Sequence, residues 1–173
     1  VTAKEIAQGA YMALSAGIDT ANAMGYITEA AKAAKVGQSE LGVTVKGSAA
    51  IMNAWKIPYS QATSVLERMI VVQDEGQASM QELASQIGQI TGLAPQLNIG
   101  LNETLAAVAA LTKTGVQTSS AITGLRAVLS NVLKPTKEAS DAAKALGLEF
   151  NAAALQSKGL TGFLENVLEK TGG

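Results

Sequence analysis

Apolar residues recur along the chain at intervals of three and four. Glycine, proline or a capping side chain interrupts them roughly every 20 residues, the pattern of short amphipathic helices. Thr2 and Glu5 stand at capping-box spacing, where each side chain satisfies an exposed amide at a helix start. They predict a first helix over residues 3–16, ended by Gly17. Asp19 caps a second over residues 20–35, stopped by Gly37, with Met24, Ile27, Ala31 and Ala34 on one face. A third, residues 40–56, aligns Leu41, Val45, Ser48, Met52 and Trp55 and ends at Pro58. The fourth starts at Ser60 and carries Ala62, Val65, Leu66, Met69 and Ile70 up to Asp74, Glu75 and Gly76.

Ser79 and Glu82 repeat the capping-box spacing and open a fifth helix that buries Met80, Leu83, Ile87 and Ile90, with Gly92 and Pro95 breaking its end. Asn102 caps a sixth that carries Leu105, Val108 and Leu111 to Gly115. The seventh, residues 119–133, has the clearest stripe: Ile122, Leu125, Val128, Leu129, Val132 and Leu133, followed by Pro135. An eighth spans residues 136–146 and stops at Gly147. A ninth, residues 159–170, buries Leu160, Phe163, Leu164, Val167 and Leu168. Only residues 148–150 alternate as a strand would, too briefly to form one. The expected architecture is all-α: eight or nine helices in helical hairpins forming a single domain over residues 1–173. Gly37, Pro58 and Ala62 recur as Gly115, Pro135 and Ala139 at offsets of 78, 77 and 77, which raises an internal duplication.

Composition narrows what such a domain can do. Thirty-one alanines and 17 glycines against 3% aromatics imply closely approaching helices whose contacts each bury little area. Neither Cys nor His is present, which removes disulfides, thiolate and imidazole metal ligands and His-dependent catalytic triads. Thirteen basic and 14 acidic residues nearly cancel, against a nucleic-acid-binding module or a polybasic membrane anchor. No secretory signal opens the sequence. A chain that starts at Val1 and closes on Thr171, Gly172 and Gly173 reads as a piece of a longer protein.

The catalytic candidates all have structural explanations. Asp74 and Glu75 sit at a predicted helix end, and Glu138 and Asp141 in the first turns of another, where acidic side chains favour the helix dipole. Thr118, Ser119 and Ser120 read as a capped helix start. No Ser-x-x-Lys supplies an alternative base, and Gly159 to Gly162 lacks the lysine and preceding strand of a phosphate loop. Lys134 and Lys137 form the one small basic cluster. The expectation is no enzyme, no cofactor, no metal and no small-molecule substrate.

One stretch is unusual. Residues 83–133 carry only Glu103, Lys113 and Arg126 as charges, which implies a helical hairpin buried by the rest of the domain or by partner subunits. A membrane-inserting segment is the alternative, though Pro95 and the polar residues of 83–102 oppose a spanning helix. Arg126, isolated there, is expected to pair with a carboxylate, Glu103 by default, and Arg126→Met to destabilise the domain.

Read as strings, residues 105–115, 121–135 and 138–147 resemble the core region of bacteriophage tail tape-measure proteins, the minor tail proteins of long-tailed phages and prophages. The match rests on Gly115, on Gly124-Leu125-Arg126, on Lys134-Pro135 closing the same helix, and on Leu146-Gly147 closing the next. Residues 159–173 also fit, and the first half agrees more loosely through Ala16-Gly17, residues 30–34 and residues 50–58. The resemblance implies a structural role in tail assembly, tail-length determination and genome ejection. It implies several copies in the tail lumen of the virion, made in the bacterial cytoplasm. The partners it implies are further copies, the tail tube, and tail-tip or baseplate proteins, with transient contact to the host membrane and no sequence-specific nucleic-acid binding. A membrane-active channel for DNA delivery and a generic helical interaction module are the alternatives.

Overall fold

The computed structural model describes residues 2–171, so Gly172 and Gly173 of the expected closing run lie outside the described residues. Ten α-helical stretches follow one another among them: α1 (Ala3–Ser15), α2 (Thr20–Val36), α3 (Leu41–Trp55), α4 (Ala62–Gly76), α5 (Met80–Gln86), α6 (Gly88–Thr91), α7 (Leu101–Lys113), α8 (Thr118–Leu133), α9 (Lys137–Ala145) and α10 (Ala152–Thr171). Two 3₁₀ turns, Tyr59–Gln61 and Pro95–Leu97, complete the path, and no strand forms among the described residues. The all-α expectation holds.

Side chains cap the starts of four of the helices. Thr2 and Glu5 make the reciprocal capping box, Asp19 accepts from the Asn22 amide at 2.9 Å, Ser79 accepts from Glu82, and Thr136 accepts from Ala139. The Asn22 side chain and amide hold the Asp19 carboxyl below its ordinary value, and the Thr2 amide does the same for Glu5.

Packing is led by interfaces between helices distant in sequence. α4 lies along α7, and α3 packs on α1, α2, α4, α5 and α6. That central position explains why α3 is buried on more than one face, through Leu41, Val45, Ile51 and Met52 as well as Thr44 and Ser48. Its buried polar groups are satisfied internally. Tyr26 Oη donates to the Val45 carbonyl at 2.8 Å and lies 2.7 Å from Ser48 Oγ, which donates to the Thr44 carbonyl at 2.6 Å. Burial raises the Tyr26 phenol far above its usual range, so the ring stays neutral. Trp55 Nε1 donates to the Ile99 carbonyl at 2.9 Å and ties the end of α3 to the segment entering α7.

Glycine lets two of these helix pairs close. A Cβ at Gly47 would lie 2.5 Å from the Ala84 carbonyl oxygen of α5, and one at Gly76 would lie 2.6 Å from Ala109 Cα of α7. One hydrophobic cluster then runs through residues of α1–α8 and α10.

Several expectations need correction. The fifth expected helix is interrupted earlier than Gly92, at Ile87, and continues as α6 and the Pro95–Leu97 turn. Helix α7 is capped at Gly100, one residue before Leu101, so Asn102 lies inside it. Residues 152–158 form an additional helical segment that Ala-rich sequence concealed, merged with the ninth expected helix across a break at Gly159, where φ is +69°. Met24 faces solvent (59% exposed), as do Leu133 and Leu168, while Leu111, Val128, Leu164 and Val167 are half-buried. The charge-poor stretch 83–133 is not one hairpin. It supplies α5 to α8, and its Leu83, Ile87, Ile90, Leu97, Leu105, Val108, Ile122 and Leu129 are core.

Candidate functional site

An apolar groove of about 420 Å³ runs between α4 and α7. It exists because the two helices meet tightly at their C-terminal ends, where Gly76 abuts Ala109 and Thr112. Its floor is apolar and small: Val72 and Leu105 at the bottom, with Val71, Ala106, Ala109 and Ala110 rising to the surface. Val71 is 55% exposed. Ala106 and Ala110 are one helical turn apart, so both present methyl groups on the outer face of α7. Charges sit on the rim, with Arg68 and Asn102 towards the helix starts and Glu75 and Lys113 at the helix ends. None of the three charged side chains joins the ion pair recorded among the described residues, Lys32 to Glu29 at 2.7 Å. Sequence reading missed this groove because alanine occupies both buried and exposed positions here. The signal available was Val71 beside the α4 stripe and the Ala106/Ala110 spacing.

The motif residues do not form one cluster. Gly115 follows α7 with φ +91°, donating its amide to the Thr112 carbonyl at 2.9 Å, and Gly147 follows α9 with φ +65°. Both are chain-reversal positions that a Cβ would strain. Gly124 lies on the outer face of α8 with open space around it, whereas Leu125 beside it is buried. Lys134 ends α8, Pro135 follows, and both are exposed, as is Leu146 at 43%. Gly115, Lys134 and Gly147 thus lie at the C-terminal ends of α7, α8 and α9, and none of the motif residues lines the α4–α7 groove.

Arg126 corrects an expectation. It is exposed on α8 and forms no ion pair with Glu103. The Glu103 carboxylate instead accepts the Leu160 amide, capping the second half of α10 just past the break at Gly159. A Cβ at Gly159 would lie 2.8 Å from that carboxylate oxygen, so the glycine allows the approach as well as the positive φ.

The other candidates fall to structural roles. Asp74 and Glu75 are exposed in the last turn of α4, and Glu138 and Asp141 are exposed in α9. No group of His, Cys, Asp or Glu among the described residues could hold a metal ion. Helix α8 does begin at Thr118, but its cap position is Gln117 and no side chain caps it, so the Ser/Thr run starts the helix without the expected hydrogen bond. Among the described residues no helix is long and apolar enough to cross a membrane.

Comparison with known proteins complements this geometry. The family described as phage-related minor tail protein matches residues 1–173. The probable tape measure protein of Clostridium phage phiCD119 is 29% identical over 107 residues, 60% of this chain and 11% of that protein. The tape measure protein of Pneumococcus phage Dp-1 is 26% identical over 149 residues, 86% of this chain and 13% of its own length. The chain thus spans little more than a tenth of either relative. No solved structure matches it.

Proposed function

Because the chain belongs to the phage-related minor tail protein family, we propose that it is a folded structural segment of a tape measure protein, acting in tail assembly and genome ejection. The observation that carries this reading is the family match over all 173 residues, on a chain whose groove is apolar and holds no catalytic cluster. In this reading the segment resides in the tail lumen as one of several copies. It contacts the tail tube and the tail-tip or baseplate proteins and carries out no chemistry of its own.

Length determination falls mainly to other parts of such a protein. As one continuous helix, 173 residues would reach about 260 Å at 1.5 Å per residue. Residues 2–171 instead fold back on themselves through ten helical stretches, so they span a small fraction of that length. Deleting the codons for residues 1–173 in frame from the parent gene, with tails measured by electron microscopy, tests the proposal. The expected result is absent tails, or tails of near-normal length that fail to deliver DNA. Shortening by about 26 nm, the length of the continuous helix, would assign the segment to the ruler. Normal infectious particles would remove it from assembly and ejection alike.

A further inference from the structure

We propose that the groove between α4 and α7 receives a second copy of this chain, packed about a two-fold axis parallel to the two helices. This deepens the reading above, which requires several copies, by assigning the surface through which two of them meet. Rotation about such an axis lays α4 of one copy on α7 of the other, both running in the same direction. The exposed Val71 ridge then falls over the partner's Ala106 and the partner's Ala110, whose methyl groups leave room for it. Large side chains on one helix against small ones on the other is what interdigitated packing needs.

The rim charges favour this arrangement. Glu75 and Lys113 stand at the same end of the groove and form no ion pair among the described residues. The two-fold brings each Glu75 to the partner's Lys113, twice per dimer, and sets Arg68 against the partner's Asn102. Every rim charge thus meets an opposite charge or a neutral amide, and like charges are kept apart. A patch that complements itself in this way is the mark of an isologous interface.

Affinity should be weak. Helices of 15 and 13 residues are about 20 Å long, so a two-helix footprint covers roughly 400 Å² per partner. That is about half the area of a standard stable complex. A micromolar-to-millimolar contact suits copies already confined together.

Sedimentation equilibrium of the 173-residue chain up to about 1 mM tests this, with circular dichroism confirming that each variant remains helical. The chain should show a concentration-dependent monomer–dimer equilibrium. Glu75→Lys alone and Lys113→Glu alone should each weaken it at least tenfold, because each confronts like charges across the interface. Mixing the two single variants should restore association as a heterodimer, since each then offers the charge that the other needs. Val71→Lys should abolish association without rescue. A chain that stays monomeric at 1 mM overturns the proposal, and so does dimerisation indifferent to these charges. Rescue of Glu75→Lys by Arg68→Glu, with none by mixing, would assign an antiparallel α4-to-α4 contact and overturn the parallel one. These outcomes are independent of the particle experiment, so the surface and the tail role can fail separately.

Discussion

At the scale of single residues, the glycines carry two different jobs that look identical in sequence. Gly37 and Gly76 read as helix stops, yet Gly37 has a φ of −80° and Gly76 is the last residue of α4. The left-handed positions fall one residue later, on Gln38 at +50° and Gln77 at +56°. The glycines are needed instead for close approach. A Cβ at Gly37 would lie 2.6 Å from Met80 Cβ, and one at Gly76 would collide with Ala109. Adjacent substitutions should therefore have opposite signs. Gly76→Ala should destabilise by about 1–3 kcal/mol through overpacking, and Gln77→Gly should stabilise by about 1 kcal/mol by relieving the left-handed strain. Urea denaturation of both variants checks this, and loss of stability in Gln77→Gly would count against the strain. Gly17, Gly115 and Gly147, with φ between +65° and +92°, were legible as stops because no side chain crowds them.

At the scale of elements, helix identity was local and helix connection was not. Side-chain caps with 3,4 spacing gave α1, α2 and α9, and 3,4 spacing without a side-chain cap gave α3, α4 and α8, each within a residue or two, because both signals lie within a few turns of one another. The fate of Glu103 was invisible, since its partner lies 57 residues further on. That contact joins α7 to α10 and fixes the direction in which the chain leaves Gly159. Glu103→Ala should cost about 1.5–3 kcal/mol, the range for a hydrogen bond to a charged group, while Glu103→Gln keeps an acceptor and should recover much of it. Arg126→Met, on the exposed face of α8, should change stability by no more than about 0.5 kcal/mol. Thermal melts of the three variants rank them, and a loss at Arg126→Met as large as that at Glu103→Ala would restore the ion pair expected from sequence.

At the scale of the whole molecule, the alanine-rich composition finds its explanation in α3. A helix packed on five others can be enclosed only if its neighbours come close, and Gly47 allows that where α5 crosses. A chain of 173 residues folded this way should have a radius of gyration of about 16 Å, against several times that for an extended helix. Small-angle scattering decides between them, and an elongated profile in dilute solution would contradict the packed core. The packed core leaves the α4–α7 groove as an apolar recess at the surface.

The sequence by itself determined that the chain is helical, where most helices begin and, apart from positions such as Met24, Leu133 and Leu168, which large apolar side chains face inward. It also excluded Cys- and His-based chemistry, and over residues 1–173 it matches the phage-related minor tail protein family. Each of these depends on residues within a few turns of one another or on their order along the chain. The tertiary structure alone decided that α4 lies along α7, that Gly37 and Gly76 are packing residues, that Glu103 caps α10 and leaves Arg126 in solvent, and that Val71 and Ala110 share a groove. Those outcomes depend on which helices become neighbours. In a chain where alanine lines buried and exposed faces alike, hydrophobic periodicity does not specify that choice; steric fit between whole helices does.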